Sequence, residues 1–558
     1  MPKMTGAQYL AEALKGYGVT HLFHVPAILR RTMVEMEERT QINRVVTHGE
    51  KAAAYMADGY ARASGRPGVC GAQVIGALNL AAGLRDAWLA RSPVIAFTGG
   101  RSAATKFRGV YQEVDDVPSF EPVTKFNATV DNVARIPDML CQAFRAATTG
   151  SPGPVHLQFA GNEGQLDAEE ADMEVRVEPE FSRVSPFRPE PDPAKVREAA
   201  RLLGAARKPV IVAGGGVRAS GASKELLELA EKLQIPVATS LNGKDSIPAR
   251  HPLSVGVVGT YSRKSANRVV KEADLVFFVG SSAGGMATHF WAVPPIGTPA
   301  IQLDIDPMTL GRNYPLKAAV NGDAKVSLKK LAEAADPSTA ASRKPWVERA
   351  QAIVKEFYEE YAPLLNSEQV PMRPERICRE LSEHLPSDAI AAVDTGHSGM
   401  WMGGMWDLKQ GQGYMRSAGH LGWAFPAALG AKCGAPERPV LCFTGDAGFY
   451  YHIGEVETAA RWNINAVILV NDNRSGNQSK RGFDRAYGGQ QTKKGFELWG
   501  FNEVNLAKVA ESLGATGIRV EKPGDLKGAL DKAFSIKKGP VVLDVISDID
   551  AAAPLAFS

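Results

Sequence analysis

The sequence predicts an α/β protein of three doubly wound domains, each an open parallel sheet covered by helices. Three observations carry that prediction. At 558 residues the chain is too long for one hydrophobic core, and ordinary domain sizes give about three or four units. Short apolar strands alternate with helical patterns, as where KPVIVAGGG leads into SKELLELAEKL and ADLVFFVG follows. Strands separated by helices pair in parallel. Two stretches rich in proline and charge, EPEFSRVSPFRPEPDP (178–193) and DPSTAASRKPW (336–346), read as linkers. The expected domains are residues 1–180, 190–340 and 365–558.

Composition narrows the function classes. Apolar residues make up 44% and charged residues 22%, ordinary for a soluble globular enzyme. The net charge of +3 is spread thinly, with no basic block of the kind that grips nucleic acid. The five cysteines, at positions 70, 141, 378, 433 and 442, show neither metal-ligand nor redox-pair spacing and read as reduced thiols. The opening MPKMTGAQYLAEALKGYGV reads as an amphipathic helix with a charge in its middle, unlike a secretion signal. No apolar stretch reaches the ~18 residues of a membrane span. The expectation is a cytoplasmic enzyme of a small molecule, with neither nucleic acid nor membrane as partner.

An internal echo bears on the first and third domains. PVIAFTG (93–99) and PVLCFTG (439–445) each follow an Ala-rich helical stretch, which suggests two copies of one fold that face each other.

The third domain holds the most specific pattern. FTGDAGF (443–449) closes the apolar strand PVLCF on Gly445 and an acid, Asp446. A carboxylate left bare at a buried strand end costs many kcal/mol, so Asp446 needs a cation or a set of donors. A helical stretch and the strand NAVILVN follow, ending at Asp472 and Asn473. A strand, helix and parallel strand cross over right-handedly, so both strands finish at one edge of the sheet. Asp446 and Asn473, 27 positions apart, therefore meet in the crevice where open α/β sheets hold ligands. Their oxygens suit Mg²⁺ carrying a diphosphate. The backbone amides of Ala447 and Gly448, at the start of a helical segment, can meet phosphate oxygens.

This segment resembles the Gly-Asp-Gly…Asn-Asn diphosphate motif of thiamine diphosphate (ThDP) enzymes, with Ala447 replacing the second Gly and Asp472 the first Asn. The resemblance implies a third metal ligand, a backbone carbonyl that falls at Ser475. RSAGHLGWAFPAALGAK (416–432) is similar to a segment of benzoylformate decarboxylase and its relatives. By that likeness the Gly419 carbonyl accepts from the coenzyme's exocyclic amine, and Leu421 props the coenzyme into a bent V. Thr395, in AVDTGHSG, falls where the family touches the diphosphate.

VVTHGEKAAAYMADGYARASGRPGV (45–69) resembles the His-Glu-x-x-Ala…Asp-Gly-Tyr-Ala-Arg segment of acetolactate synthases. Glu50 takes the place of the acid that shares a proton with the coenzyme's pyrimidine ring, and its small, apolar helix should desolvate the carboxyl. In the family this acid and the metal corner come from different chains, which implies a homodimer or homotetramer with the active site between chains. The same resemblance puts Gln73 over the thiazolium and Gln112, in YQEVDD, at a substrate-side glutamine. It makes His420, beside the bent coenzyme, a proton-transfer candidate.

The middle domain resembles the FAD-binding domain of acetolactate synthases and pyruvate oxidases through IQLDIDPMTLGRNYP, but VGSSAGGMATHF lacks their Arg-containing string. FAD is one implied ligand, and an ADP or CoA group another. The implied reaction makes or breaks a carbon–carbon bond next to a carbonyl. Its first form is acetolactate-synthase-like: a 2-oxo acid is decarboxylated and the activated aldehyde is passed to an acceptor. The alternatives are a 2-hydroxyacyl-CoA lyase or oxalyl-CoA decarboxylase, a sulfoacetaldehyde-acetyltransferase-like acyl transfer, and a non-catalytic subunit of the same fold. Retention of Glu50 argues against the last, because a mere binder needs no proton-transfer acid.

Overall fold

The computed structural model describes residues 2–555. A short antiparallel ribbon, β1 (Lys3–Thr5) with β8 (Glu170–Asp172), ties the two ends of the first domain together. That domain is built on β2 (His21–His24), β3 (Asn43–Val46), β4 (Gly68–Ala72), β5 (Val94–Gly99), β6 (Phe126–Val130) and β7 (Val155–Phe159). They form one parallel sheet in the order β3-β2-β4-β5-β7-β6. The middle domain holds β9 (Pro209–Ala213), β10 (Val237–Thr239), β11 (Ser254–Val257), β12 (Leu275–Val279), β13 (Ala300–Asp304) and β14 (Leu316–Asn321). Their order, β11-β10-β9-β12-β13-β14, is the doubly wound dinucleotide-fold arrangement, with its switch point between β9 and β12. The third domain carries β15 (Ile390–Val393), β16 (Gly413–Arg416), β17 (Val440–Gly445), β18 (Val467–Asp472), β19 (Thr516–Val520) and β20 (Val541–Ile546), ordered β16-β15-β17-β18-β20-β19.

The first and third sheets share one topology. Counted along each domain, both run second, first, third, fourth, sixth, fifth strand. The sequence echo does not mark this equivalence, however. PVIAFTG lies on β5, the fourth strand of its sheet, whereas PVLCFTG lies on β17, the third strand of the other. The likeness is that of any buried parallel strand, which favours the same apolar residues wherever it sits. The copies are real, but their strings are one strand out of step.

The matching helices of the two domains pack on each other. Helix Glu50–Ser64 follows an extended Gly49 and stops at Gly65, whose φ of 70° places it in the left-handed region that glycine enters freely. Its topological counterpart is Ala424–Gly434, with Pro426 in the first turn, where the missing N–H is harmless. Both present alanines and a glycine to the crossing. A Cβ on Gly59 would overlap the Ala427 carbonyl, and one on Gly430 would overlap the Met56 carbonyl. One continuous apolar core consequently runs from Tyr55, Met56 and Leu84 into Trp423, Phe425 and Val470. Adding one methyl at this crossing, Gly430→Ala, is expected to cost about 1–3 kcal/mol of stability, to be read as a lowered urea midpoint. An unchanged midpoint would mean the helices separate at no cost.

The segment 336–346, expected to be a linker, is instead packed. It forms the turn Pro337–Arg343 and the start of helix Lys344–Leu365. Arg343 is fully buried, donating to the carbonyls of Leu203 and Leu233, and the Trp346 indole donates to Pro209 at 2.8 Å. Its proline and charge serve helix initiation and carbonyl capping on the middle domain. No helix among the described residues is long and apolar enough to cross a membrane.

Candidate active site

β17 and β18 are parallel neighbours, with Gly445 paired to Asn471, so Asp446 and Asn473 emerge side by side at one sheet edge. Asp446 opens the short helix Asp446–Tyr450 and is 2% exposed. Its Oδ2 accepts from the Ser475 amide at 2.9 Å and its Oδ1 from the Ala447 amide at 2.7 Å. The Ala447 N–H is thus engaged by its own helix-opening acid. Asn473 is buried too, its Oδ1 accepting from the Ser475 hydroxyl at 2.9 Å. Gly448 has no room for a side chain, since a Cβ would press on an Asp394 carboxylate oxygen and the Thr444 hydroxyl.

This corner carries excess negative charge. Burial pushes Asp446 up to about 6, and burial together with the Asp446 charge does the same to Asp472. Asp544 is pushed up to about 7 by burial and by Asp472. Among the described residues the cation in salt-bridge contact with these three is Arg519, 3.1 Å from Asp544. Buried carboxylates without counter-charge are costly. An oxygen-only donor set with surplus charge fits a hard divalent cation. The group of acidic and histidine side chains with metal-like spacing among the described residues, Glu380, Glu383 and His384, lies on helix Pro374–His384 and shares no residue with this corner.

The turn of residues 417–422 lies beside the corner. Asp394, fully buried at the end of β15 and pushed up to about 7 by burial, accepts from the amides of Gly422 at 3.0 Å and Thr395 at 2.8 Å. It also accepts from the Thr444 hydroxyl at 2.9 Å, so one carboxylate joins three segments. Thr395 is half-buried there. Gly419 is exposed with φ 153°, and among the described residues its carbonyl accepts no hydrogen bond. Leu421 is half-buried and outside every core cluster. The His420 Nδ1 is 2.5 Å from the Tyr55 hydroxyl. Burial lowers the imidazole's pKa and raises that of the phenol, so the contact joins two groups whose uncharged forms burial favours.

Glu50 begins its helix at the edge of the first sheet. Its Oε2 accepts from the Asn79 side chain at 3.2 Å and its carboxyl fills the space beside Gly76. It forms no ion pair with Lys51, whose ammonium sits 5.3 Å from the Tyr451 ring centroid. The expected desolvation is not supplied by one chain. Glu50 is half-buried, and among the described residues no hydrogen bond links it to the Asp446 corner. Around it Ile75, Leu78 and Tyr451 stand 56%, 48% and 58% exposed. Gln73, following β4, donates to Gln112 at 3.2 Å, so these two meet. Gln112 lies in the left-handed region at φ 61°.

Sequence reasoning missed Asp394, Asp86 and Tyr55. Asp394 stands next to Thr395, and Asp86 is the one acid of the Ala-rich helix Ala77–Ala90. A lone acid in an apolar helix was the available signal.

Comparison with known proteins agrees with this geometry. The models of the thiamine pyrophosphate enzyme family match in three parts: the N-terminal TPP binding domain at residues 4–119, the central domain at 196–331 and the C-terminal TPP binding domain at 394–545. The chain is 33% identical over 567 residues to a probable acetolactate synthase large subunit of Methanocaldococcus jannaschii, covering 99% of this chain and 93% of that protein. It is 30% identical to the acetolactate synthase large subunit of Corynebacterium glutamicum, over 98% of this chain and 88% of the relative. It is also 30% identical to glyoxylate carboligase of Escherichia coli O157:H7, over 98% and 93% respectively. A doubled fold with a carboxylate-rich corner at one sheet edge and a glutamate at the other thus has its explanation: the chain belongs to the thiamine diphosphate (thiamine pyrophosphate) enzyme family.

Proposed function

We propose that the enzyme decarboxylates a 2-oxo acid and joins the activated aldehyde unit to an acceptor carbonyl, a reading that its likeness to acetolactate synthases supports. The observation that carries this reading is the meeting of Asp446, Asn473 and Ser475 at adjacent strand ends. In it, the Asp446 carboxylate, the Asn473 amide oxygen and the Ser475 carbonyl would hold Mg²⁺, while Thr395 and the Gly448 amide would face the diphosphate; the Ala447 amide, expected to join them, already donates to Asp446. The Gly419 carbonyl and Leu421 would hold the coenzyme's pyrimidine side. When bound, ThDP supplies an electron sink for the carbon losing its carboxylate. Glu50 of a second copy would hold the proton shared with the coenzyme's ring nitrogen, and Gln73, Gln112 and His420 would line the reacting side. The exposed apolar side chains around Glu50 favour that second copy, which would cover them and complete the desolvation.

A second reading concerns the middle domain. A cavity of ≈ 490 Å³ opens at the switch point, walled by Gly214 after β9, Gly280 after β12, Asn242, Asp304 and Arg416. Such a crevice suits a nucleotide, which favours FAD or the ADP portion of a CoA substrate. Incubation with ThDP, Mg²⁺ and a panel of 2-oxo acids and hydroxyacyl-CoAs separates carboligation from cleavage of an acyl-CoA substrate. Carbon dioxide release and a carboligation product without any acyl-CoA are expected. Formyl-CoA production would support the lyase instead, and no turnover of either class would overturn both.

A further inference from the structure

We propose that Asp86 is a positioning residue that aims the Gly419 carbonyl, so that each chain's first domain presets its own coenzyme-shaping turn. The inference rests on the ThDP reading above. Asp86 lies in helix Ala77–Ala90 and is 2% exposed, an expensive place for a carboxylate unless both oxygens are engaged. They are engaged by the third domain. Oδ1 accepts from the Ala418 amide at 2.5 Å, and Oδ2 from the His420 amide at 3.1 Å. Between them the Gly419 amide turns to the Ser417 hydroxyl at 3.1 Å, which itself donates to the His420 carbonyl at 2.7 Å. Asp394 holds Gly422 from the other end.

Peptide geometry makes this grip directional. A trans peptide sets its C=O antiparallel to the N–H of the next residue. The His420 N–H points at Asp86, so the Gly419 C=O in the same plane points away from the first domain. That carbonyl accepts no hydrogen bond among the described residues. Arg62 strengthens the arrangement from the same domain. It pairs with Asp58, approaches Asp86 to 4.0 Å and donates to the Arg416 carbonyl at 2.8 Å, just ahead of the turn. Asp86 therefore acts through the turn without itself meeting the coenzyme. In the proposed dimer the first domain has two separate tasks, fixing its own chain's turn through Asp86 and serving the partner through Glu50.

The test uses the full-length protein and Asp86→Asn, which keeps the shape but replaces one acceptor with a donor. Without coenzyme, amide hydrogen exchange at Ala418 and His420 is expected to quicken at least about tenfold, while Gly422, held by Asp394, changes little. With Mg²⁺ and ThDP, coenzyme affinity should fall about 10–100-fold, the range of a lost supporting contact. Exchange of the thiazolium proton at saturating coenzyme should slow as well. Unchanged amide exchange would overturn the assignment, and so would faster amide exchange with wild-type coenzyme affinity and thiazolium exchange. If the variant does not fold, the wild-type protein decides: His420 should exchange about tenfold slower than Leu421, and equal rates would overturn the proposal. Failure of the wild-type chain to bind ThDP with Mg²⁺ would sink the functional reading instead, an outcome distinct from failure of the Asp86 contacts.

Discussion

Replacing Glu50 with glutamine is expected to leave coenzyme binding close to wild type and to lower turnover by about 10²–10⁴-fold, the range of a lost general acid–base group. Glutamine occupies the same volume, and its carbonyl can still accept from Asn79, which is the hydrogen bond Glu50 makes within its chain. What it loses is the ability to hold and release a proton. Because Glu50 is half-buried and forms no ion pair among the described residues, the fold should not register the change. Calorimetric titration with ThDP and Mg²⁺ alongside initial rates on the active 2-oxo acid separates the two effects. Equal turnover in variant and wild type would remove Glu50 from the chemistry.

The second large effect is expected at Asp446. Asp446→Asn keeps an acceptor for the Ser475 amide but removes one charge from the row Asp446, Asp472 and Asp544. Mg²⁺-dependent coenzyme binding is expected to weaken more than about 100-fold, beyond what loss of a supporting contact costs. Stability without the coenzyme should move the opposite way or not at all, since relieving repulsion between buried carboxylates favours the folded state. Opposite signs for binding and stability are the diagnostic feature. A variant that binds coenzyme normally would place the metal elsewhere, and one that merely unfolds would make Asp446 a structural acid.

The parts of this account that were legible in the sequence are those set by local order. Strand, helix and parallel strand fix which residues share a sheet edge, so Asp446 and Asn473 could be brought together from their spacing. The helix carrying Glu50 was legible for the same reason. Contacts between domains were not. Asp86 reaches its partner amides across 332 and 334 positions, and no periodicity records such a meeting. Tyr55 and His420 are likewise joined only by the packing of two helices that cross at Gly59 and Gly430. The segment 336–346 misled because proline and charge open a helix as readily as they make a linker. The burial of Glu50 was not legible either: its helix is largely buried, yet Glu50 itself, at the first turn, is only half-buried in the protomer.

The between-chain site is tested most directly by mixing two inactive variants, Glu50→Gln and Asp446→Asn, in one co-expressed preparation. If the glutamate of one chain serves the metal corner of another, a mixed dimer contains one site with both residues intact. Random pairing makes half of the dimers mixed, and activity should return to about a quarter of wild type. Activity no higher than that of either variant alone would place Glu50 and Asp446 in a site made by a single chain, and would contradict the account.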